Sequence, residues 1–248
     1  MEITSNYSIT NLFLSKKIRI YIDGVFAFCI KVKSIRDLIE DENWHKTYQL
    51  ITRDLLDWRD SFANQIQYDE QLYYIQVITF QLGAYKQYTQ IANDINKYIQ
   101  EIIPEVKINN KDKKWEVNGV TITPEIWNYV VYLLKLTCGE KVQKPRIFES
   151  AEEKAFFIKQ QEMENRIKKI KRNANDKKEG GEDQLMKNIL AITYSFPHLS
   201  FDYLFDQTMA QIHWLATYAA QEVSYRVNAQ AFAAGNLKKG SKLDFFIK

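Results

Sequence analysis

The sequence predicts a mainly α protein with two small β-hairpins, an α+β fold in which long helices form a helical bundle. Only eight of the 248 residues are glycine and four are proline, which disfavours a turn-rich β-sandwich or barrel. Aromatic residues make up 14% of the chain, enough to build a sizeable core. Several stretches also place apolar residues at every third or fourth position, a spacing typical of amphipathic helices.

Charge and cysteine content exclude several classes of protein. The formal net charge is +3, too small by itself to indicate a nucleic-acid partner. The two cysteines, Cys29 and Cys138, cannot build a disulfide framework, which favours a reducing compartment. No apolar run approaches the roughly 18 residues of a membrane span, and the N-terminus lacks a signal-peptide pattern. We therefore expect a soluble, intracellular protein.

Residues 1–104 are predicted to form a hairpin followed by long helices. The first 15 residues are polar and are expected to form an arm. Charged and aliphatic residues alternate from Lys17, Asp23-Gly24 supplies a turn signal, and β-branched and aromatic residues continue to Val32. This order predicts a β-hairpin.

A helical segment is predicted after the first hairpin. Ser34 and Asp37 have the spacing of a helix capping box. We expect the helix that they begin to run to about Phe62, with a candidate break near Asn43.

The strongest helical signal covers residues 69–103. Apolar residues recur there at spacings of three and four, and Gly83 is a candidate interruption. Pro104 marks the expected end, because the residue before a proline avoids the helical conformation. The residues of this stripe, which we expect to lie in the core, are Ile75, Ile78, Leu82, Tyr85, Tyr88, Ile91, Ile95, Tyr98 and Ile102.

Residues 105–172 are predicted to contain the second hairpin and two helices. Asn118-Gly119 lies between two short β-rich runs and suits a type I′ turn, because both residues tolerate positive φ. Thr123, followed by a proline and an acidic residue, is expected to begin a helix that ends near Cys138.

A further helix is predicted from the capping box at Ser150 and Glu153 to about Arg172. We expect residues 173–183, which follow the basic run and contain two glycines, to form a flexible loop. The basic residues that could contact a nucleic acid are Arg166, Lys168, Lys169, Lys171 and Arg172. A solvated helix end is the favoured alternative, because no aromatic side chain interleaves this run.

Residues 184–248 are predicted to form a C-terminal helical region with a basic, aromatic tail. A short helix from Leu185 is expected to end before Pro197, and Ser200 caps a further turn. Thr208 is expected to begin a long alanine-rich helix.

The tail carries an apolar tip made of Phe245, Phe246 and Ile247. One interpretation is that the tip folds back onto the protein's own core. The other is that it docks into a partner or a second copy of the chain, as short peptides with aromatic anchors do. The sequence leaves both open.

The sequence contains no recognisable catalytic or metal site. His45, His198 and His213 lie in separate predicted elements, and we expect His213 to be a satisfied core or interface histidine. Cys138 falls at a helix C-terminus, the wrong end to lower a thiol pKa. No phosphate-binding loop, dinucleotide fingerprint or nucleophile elbow occurs. We therefore expect a protein that is not an enzyme and that uses neither a cofactor nor a metal.

One segment resembles a pattern of phage tail-morphogenesis proteins. Residues 192–202 read ITYSFPHLSFD, and residues 208–215 read TMAQIHWL, so a short helix and a capped turn lead into a Thr-x-x-Gln-Ile-x-x-Leu helix. Residues 120–127, VTITPEIW, are similar to a stretch in Firmicutes phage tail modules. On these residues the chain resembles the small helical assembly chaperones of long-tailed phages, which include the baseplate-hub chaperones of T-even phages and tape-measure chaperones.

The resemblance implies a non-enzymatic, chaperone-like tail or baseplate assembly factor that acts in the host cytoplasm by binding another phage tail or baseplate protein. The alternatives are a structural protein of the virion and a nucleic-acid-binding accessory protein. Self-association stays open, and we expect no membrane association. The residues expected at the partner surface are Gln211, Trp214, Tyr218, Phe245, Phe246 and Ile247.

Overall fold

The computed structural model describes residues 1–41, 43–62, 70–109, 111–140, 142–146, 148, 150–173 and 181–234. The helices are α1 (Ile9–Ser15), α2 (Ile35–Glu40), α3 (Trp44–Thr52), α4 (Leu55–Phe62), α5 (Gln71–Gln76), α6 (Lys86–Ile102), α7 (Pro124–Thr137), α8 (Ala151–Asn173), α9 (Gly181–Ser195), α10 (Phe201–Phe205) and α11 (Met209–Ala233). The strands are β1 (Ile3–Ser5), β2 (Lys17–Ile22), β3 (Val25–Lys31), β4 (Val106–Asn109), β5 (Lys114–Val117) and β6 (Val120–Thr121). This mainly helical α+β architecture confirms the predicted fold class.

The first sheet has the order β1-β2-β3, and all its neighbouring strands are antiparallel. The predicted hairpin of β2 and β3 is confirmed, but the expectation of an N-terminal arm is wrong. Ile3 pairs opposite Ile22 in the added strand, and Leu12 of α1 is fully buried. A strand this short is held by backbone pairing and by a few apolar side chains. In a mostly polar segment those few residues do not form a recognisable strand pattern.

The region after the first hairpin contains three helices instead of one. The capping box of Ser34 and Asp37 is confirmed, and so is the break near Asn43, which directly precedes α3. A second interruption, at residues 53–54 between α3 and α4, carries no glycine or proline signal in the sequence.

The predicted long helix is interrupted by a π-helical stretch, Val77–Gln81, and a 3₁₀ turn, Leu82–Ala84. The turn contains Gly83, where a Cβ would lie only 2.9 Å from the Cβ of Ala92, so a larger residue would force the two segments apart. The interruption also shifts the helical phase. Tyr85 and Ile91 are therefore exposed, and their assignment to the core was wrong, whereas the stripe members Ile75, Ile78, Ile95, Tyr98 and Ile102 are buried.

The second hairpin is confirmed by positive φ angles of 50° at Asn118 and 81° at Gly119. A third strand, β4, which the sequence did not indicate, completes the order β4-β5-β6. The Asn118 side chain donates a hydrogen bond to the carbonyl of Ala27 at 3.0 Å, which links the turn to the first sheet.

Two hydrophobic cores hold the described elements together. The main core joins both sheets to helices α3 to α7, and its largest fully buried side chains include Trp58, Trp115 and Trp127. The small core lies among α2, α9, α10 and α11 and consists of Ile35, Ile189, Ile192, Leu204, Ile212, Leu215 and Ala219.

The loop predicted over residues 173–183 is shorter than expected. Helix α8 includes Asn173, and α9 begins at Gly181, so only residues 174–180 lie between the two helices, outside the described ranges. The tail from residue 235 onward also lies outside them. No helix in the described part of the chain is long and apolar enough to cross a membrane.

Candidate partner-binding surface

The first turns of α10 and α11 are fixed by side-chain caps. Ser200 Oγ accepts a hydrogen bond from the backbone N–H of Tyr203 at 3.1 Å. At α11, Thr208 Oγ1 accepts from the N–H of Gln211 at 3.3 Å, and the Gln211 side chain accepts from the N–H of Thr208 at 2.6 Å. These reciprocal bonds form a capping box, which fixes where the helix starts and therefore which residues face outward.

Gln211 cannot contact a partner, contrary to the sequence-based expectation. Its side chain is fully buried and is used by the capping box of α11. No described acceptor lies within hydrogen-bond distance of its Nε2 atom. The Thr-x-x-Gln spacing that suggested a contact residue is therefore a helix-start signal.

Trp214 and Tyr218 follow one helical turn apart and stack on each other. Their ring centroids are 5.8 Å apart, and the ring planes differ by only 2°. Phe196 also stacks on Tyr218, with centroids 5.7 Å apart and an angle of 12° between the planes. Phe13 from α1 meets Trp214 edge-on, and His198 meets Phe196 edge-on. We call these five rings the aromatic row.

The aromatic row is partly open to solvent, as predicted for Trp214 and Tyr218. Trp214 is 47% exposed and Tyr218 is 39% exposed. His213, the neighbour of Trp214, is also exposed, so the core alternative for it was wrong, and the interface alternative stays a prediction. It lies against Gly139, where a Cβ would be 3.5 Å from the Cβ of His213, and this contact brings the end of α7 close to α11.

Helix α9 adds a second exposed apolar feature. Met186, Leu190 and Tyr194 lie four residues apart and are all exposed, with Tyr194 reaching 83%. Residues at this spacing fall on one helical face. Ile189 and Ile192 on the same helix are fully buried in the small core, so α9 is apolar on its outer face as well as on its inner one.

Polar bonds from α2 hold the α10–α11 junction in place. The backbone N–H of Ile35 donates to the carbonyl of Gln207 at 2.8 Å. Arg36 forms ion pairs with Asp206 at 2.9 Å and with Asp202 at 3.3 Å. Helix α2, near the beginning of the chain, therefore holds the junction that leads into α11, the helix that carries Trp214 and Tyr218.

The arrangement around Cys138 does not favour nucleophilic chemistry. Burial raises the pKa of the thiol to about 11, and the nearby Glu140 carboxylate adds to this shift, while a hydrogen bond with Tyr48 opposes it. Tyr48 in turn donates to the Glu140 carboxylate at 2.6 Å. A thiol that is protonated at neutral pH is a poor nucleophile.

Enclosed space and metal-binding groups are scarce in the described ranges. The cavity beside Cys138 and Tyr48 offers about 20 Å³, room for a single water. No three or more histidine, cysteine or acidic side chains of the described residues lie close enough together to hold a metal ion. Among the described residues, the exposed aromatic row offers the area that a large partner needs, and this cavity does not.

The side chains of the other predicted contact residues lie outside the described part of the structure. Phe245, Phe246 and Ile247 lie outside the described residues. The basic residues Arg166 to Arg172 lie within α8, but the structure does not describe their side chains.

Comparisons with protein-family models, with curated proteins and with solved structures find no match for this chain.

Proposed function

We propose that this protein is a non-enzymatic phage tail or baseplate assembly factor that acts by binding another protein. The observation that carries the proposal is the aromatic row, in which an exposed tryptophan and tyrosine are stacked on an anchored helix. Trp and Tyr are the side chains that most often dominate the energy of protein interfaces.

The row is suited to binding because it is ordered before a partner arrives. The Trp214 indole stacks on Tyr218 and meets Phe13 edge-on, and these two contacts restrict its rotamers, so less conformational entropy is lost on association. The capping box and the Arg36 ion pairs fix the helix that carries it. A partner with an apolar helix can cover such a surface without any catalytic group.

The resemblance to phage assembly chaperones supplies the class of partner, a tail or baseplate protein met in the host cytoplasm. An assembly chaperone has to cover apolar surface that its client buries only in the finished particle. The exposed face of α9, with Met186, Leu190 and Tyr194, extends the apolar area that is open for this purpose.

Co-expression with each protein encoded by a neighbouring gene tests the proposal, which expects the partner to be a tail or baseplate protein. We expect the two proteins to co-purify and the partner to become more soluble. Trp214→Ala combined with Tyr218→Ala should reduce the recovered complex at least tenfold. Tyr85→Ala is the matched control, because it removes an aromatic side chain that is 62% exposed, directly before α6, and should leave the complex intact. A partner whose solubility is unchanged, with no complex formed, would overturn the chaperone proposal.

Mass spectrometry of purified virions separates the assembly factor from its closest alternative. A chaperone leaves before the particle is complete, so its peptides should be missing from finished virions. Stoichiometric recovery in the particle would instead identify a structural virion protein that uses the same surface permanently.

The tail provides a second test of partner binding. Deletion of residues 237–248 is expected to leave the melting temperature unchanged and to weaken the complex. A large fall in melting temperature would show instead that the tail packs onto the protein's own core.

A further inference from the structure

The first sheet has one face in the core and one face toward solvent. Successive side chains of a strand point to opposite faces, and Ile18, Ile20 and Phe28 are fully buried in the main core on the inner face. The register of β2 and β3 puts the following residues on the outer face: Lys17, Arg19, Tyr21, Phe26, Cys29 and Lys31. The three strands contain no acidic residue, so the outer face carries only positive charge.

Three cations lie close together on this outer face. Lys17 is directly opposite Lys31 across the β2–β3 pair, and Arg19 is two residues further along β2. All three residues are exposed, and none of them forms an ion pair with a described residue. Like charges placed directly opposite each other destabilise a sheet, so the fold gains nothing from this pair of lysines. A bound anion would relieve the repulsion.

The carboxylate of Asp37 does not neutralise these cations. It lies close enough to interact electrostatically with Lys31 and Lys16. Its carboxylate is used by the capping box of α2, where it accepts the backbone N–H of Ser34 at 2.9 Å and the Ser34 hydroxyl at 2.8 Å. The outer face therefore keeps its positive charge.

Two aromatic rings lie next to the cations on the same face. Tyr21 is opposite Phe26, and their rings meet edge-on with centroids 6.2 Å apart. The pairing register shifts between Ile20 and Tyr21, which brings Phe26 instead of Ala27 opposite Tyr21 and so turns its ring outward. Phe26 is 50% exposed, so much of its apolar area is left open.

Cations and open rings on one sheet face fit a single-stranded nucleic acid. Lysine and arginine side chains bind phosphates, and unpaired bases stack on aromatic side chains that a sheet presents. A peptide rich in glutamate would satisfy the cations but would leave the two rings without a stacking partner. From Lys17 to Tyr21 the face extends over about 14 Å, enough for a short stretch of a single strand. The small net charge of the whole chain is no obstacle, because a local basic patch is what a nucleic acid contacts.

We propose that the outer face of the first sheet binds single-stranded nucleic acid. Lys17, Arg19 and Lys31 contact phosphates, and Tyr21 and Phe26 stack on bases. The inference does not rest on the proposed assembly function, because this face shares no residue with the aromatic row. It also involves a different part of the chain from the basic run of residues 166–172.

Fluorescence anisotropy of the whole protein with a labelled oligothymidylate of about 15 nucleotides tests the proposal. We expect a micromolar dissociation constant at low salt and weaker binding as salt is added. Lys17→Gln combined with Lys31→Gln should raise the dissociation constant at least tenfold and reduce its salt dependence. Lys107→Gln combined with Lys114→Gln is the matched control, because it removes two exposed lysines from strands of the second sheet and should leave binding intact.

The stacking part of the site is tested by Phe26→Ala. We expect a dissociation constant at least fivefold higher with the salt dependence unchanged, because a stacked ring neutralises no phosphate. Phe156→Ala is the matched control, since it removes a phenylalanine that is 71% exposed on α8. Thermal denaturation checks the fold of each variant. The Lys17 and Lys31 variant should melt no lower than the wild type, because it removes two opposed charges.

Several results would overturn the proposal. One is the absence of binding at low salt and micromolar protein, and another is binding that the Lys17 and Lys31 variant or Phe26→Ala leaves unchanged. Equally tight binding of a polyglutamate peptide of the same length would assign the face to an acidic protein. Binding lost only in Lys168→Gln combined with Lys169→Gln would assign the oligonucleotide to α8. Trp214→Ala should not change oligonucleotide binding, so failure of the partner-binding proposal would be seen separately.

Discussion

Two pairs of stacked rings lie in very different surroundings in this protein. Trp115 and Trp127 stack in the main core with centroids 5.6 Å apart and at most 1% of either residue exposed. Trp214 and Tyr218 stack at 5.8 Å in the aromatic row, with 47% and 39% of each residue exposed. The ring contact is similar in both pairs, but only the core pair is covered on its outer side.

The difference shows that residue type and local spacing do not decide what a ring does. Trp127 lies on α7, which is packed in the main core with both sheets, so its apolar area stabilises the fold. Trp214 lies on α11, where the inner face of the helix belongs to the small core and the outer face is left uncovered. Area that folding leaves exposed is still available for burial by a partner.

Truncation of the core ring should give the largest effect on stability. Trp127→Ala removes a fully buried indole, and we expect it to lower the free energy of unfolding by about 3–5 kcal/mol, measured by urea denaturation. Trp127→Phe keeps an aromatic ring in the same space and should cost less.

The matched change on the aromatic row is Trp214→Ala. We expect it to lower the free energy of unfolding by no more than about 1.5 kcal/mol, since the ring loses one stacked contact and is already half exposed. Equal losses for Trp127→Ala and Trp214→Ala would mean that the aromatic row is structural, and would remove the basis of the comparison.

The link between the two cores gives a smaller effect than the loss of the core ring of Trp127. Lys33 pairs with Asp41 at 3.0 Å and with Glu101 at 2.5 Å, and it lies 5.4 Å from the centre of the Tyr98 ring. It therefore connects the segment that carries Ile35 of the small core to α6 of the main core. Lys33→Met should lower the free energy of unfolding by about 1–3 kcal/mol, because it leaves two partly buried carboxylates without this donor.

The contribution of Lys33 should depend on pH at both ends of the scale. Burial disfavours the lysine charge, but the hydrogen bonds with Glu101 and Asp41 outweigh it and raise the pKa of Lys33. Burial likewise opposes ionisation of Asp41, but the bond from Lys33 prevails and lowers the pKa of Asp41. The raised lysine pKa gives stability that is lost as the pH rises above about 10, and the lowered aspartate pKa gives stability that is lost as the pH falls below about 4.

Denaturation of the wild type and of Lys33→Met across the pH range measures this dependence. We expect a constant difference in the free energy of unfolding from about pH 5 to pH 9, and a smaller difference outside that range. A difference that stays the same at pH 3 would show that Asp41 does not gain from Lys33 in the folded protein.

Local signals in the sequence predicted much of the fold. The Asn118-Gly119 turn and the caps at Ser34 and Thr123 depend on residues close together in the chain, so they could be recognised without the structure. Strand β1 could not, because it pairs with β2 on the far side of α1. Strand β4 could not, because four residues are too few for a clear alternating pattern, although its partner β5 follows directly.

The residues of the candidate surface also divide into those that the sequence pointed to and those that it did not. Trp214 and Tyr218 were expected at the partner surface on the basis of the family resemblance, and both are exposed. Gln211 was misassigned because a capping glutamine and a contact glutamine look alike in sequence. The participation of Phe13 in the aromatic row depends on packing of α1 against α11, about 200 residues apart, which no local spacing reveals.

The smallest effect that we expect comes from the cap that starts α11. Thr208→Ala removes the hydroxyl that accepts the N–H of Gln211, and should lower the free energy of unfolding by about 1 kcal/mol. Thr208→Ser keeps the hydroxyl and should cost less. Because the cap fixes the first turn below Trp214, Thr208→Ala should also weaken partner binding more than its stability loss explains, provided that the aromatic row binds as a preordered surface. Binding that is unchanged in Thr208→Ala would show that the rings find their positions without the cap, and that the partner itself orders them.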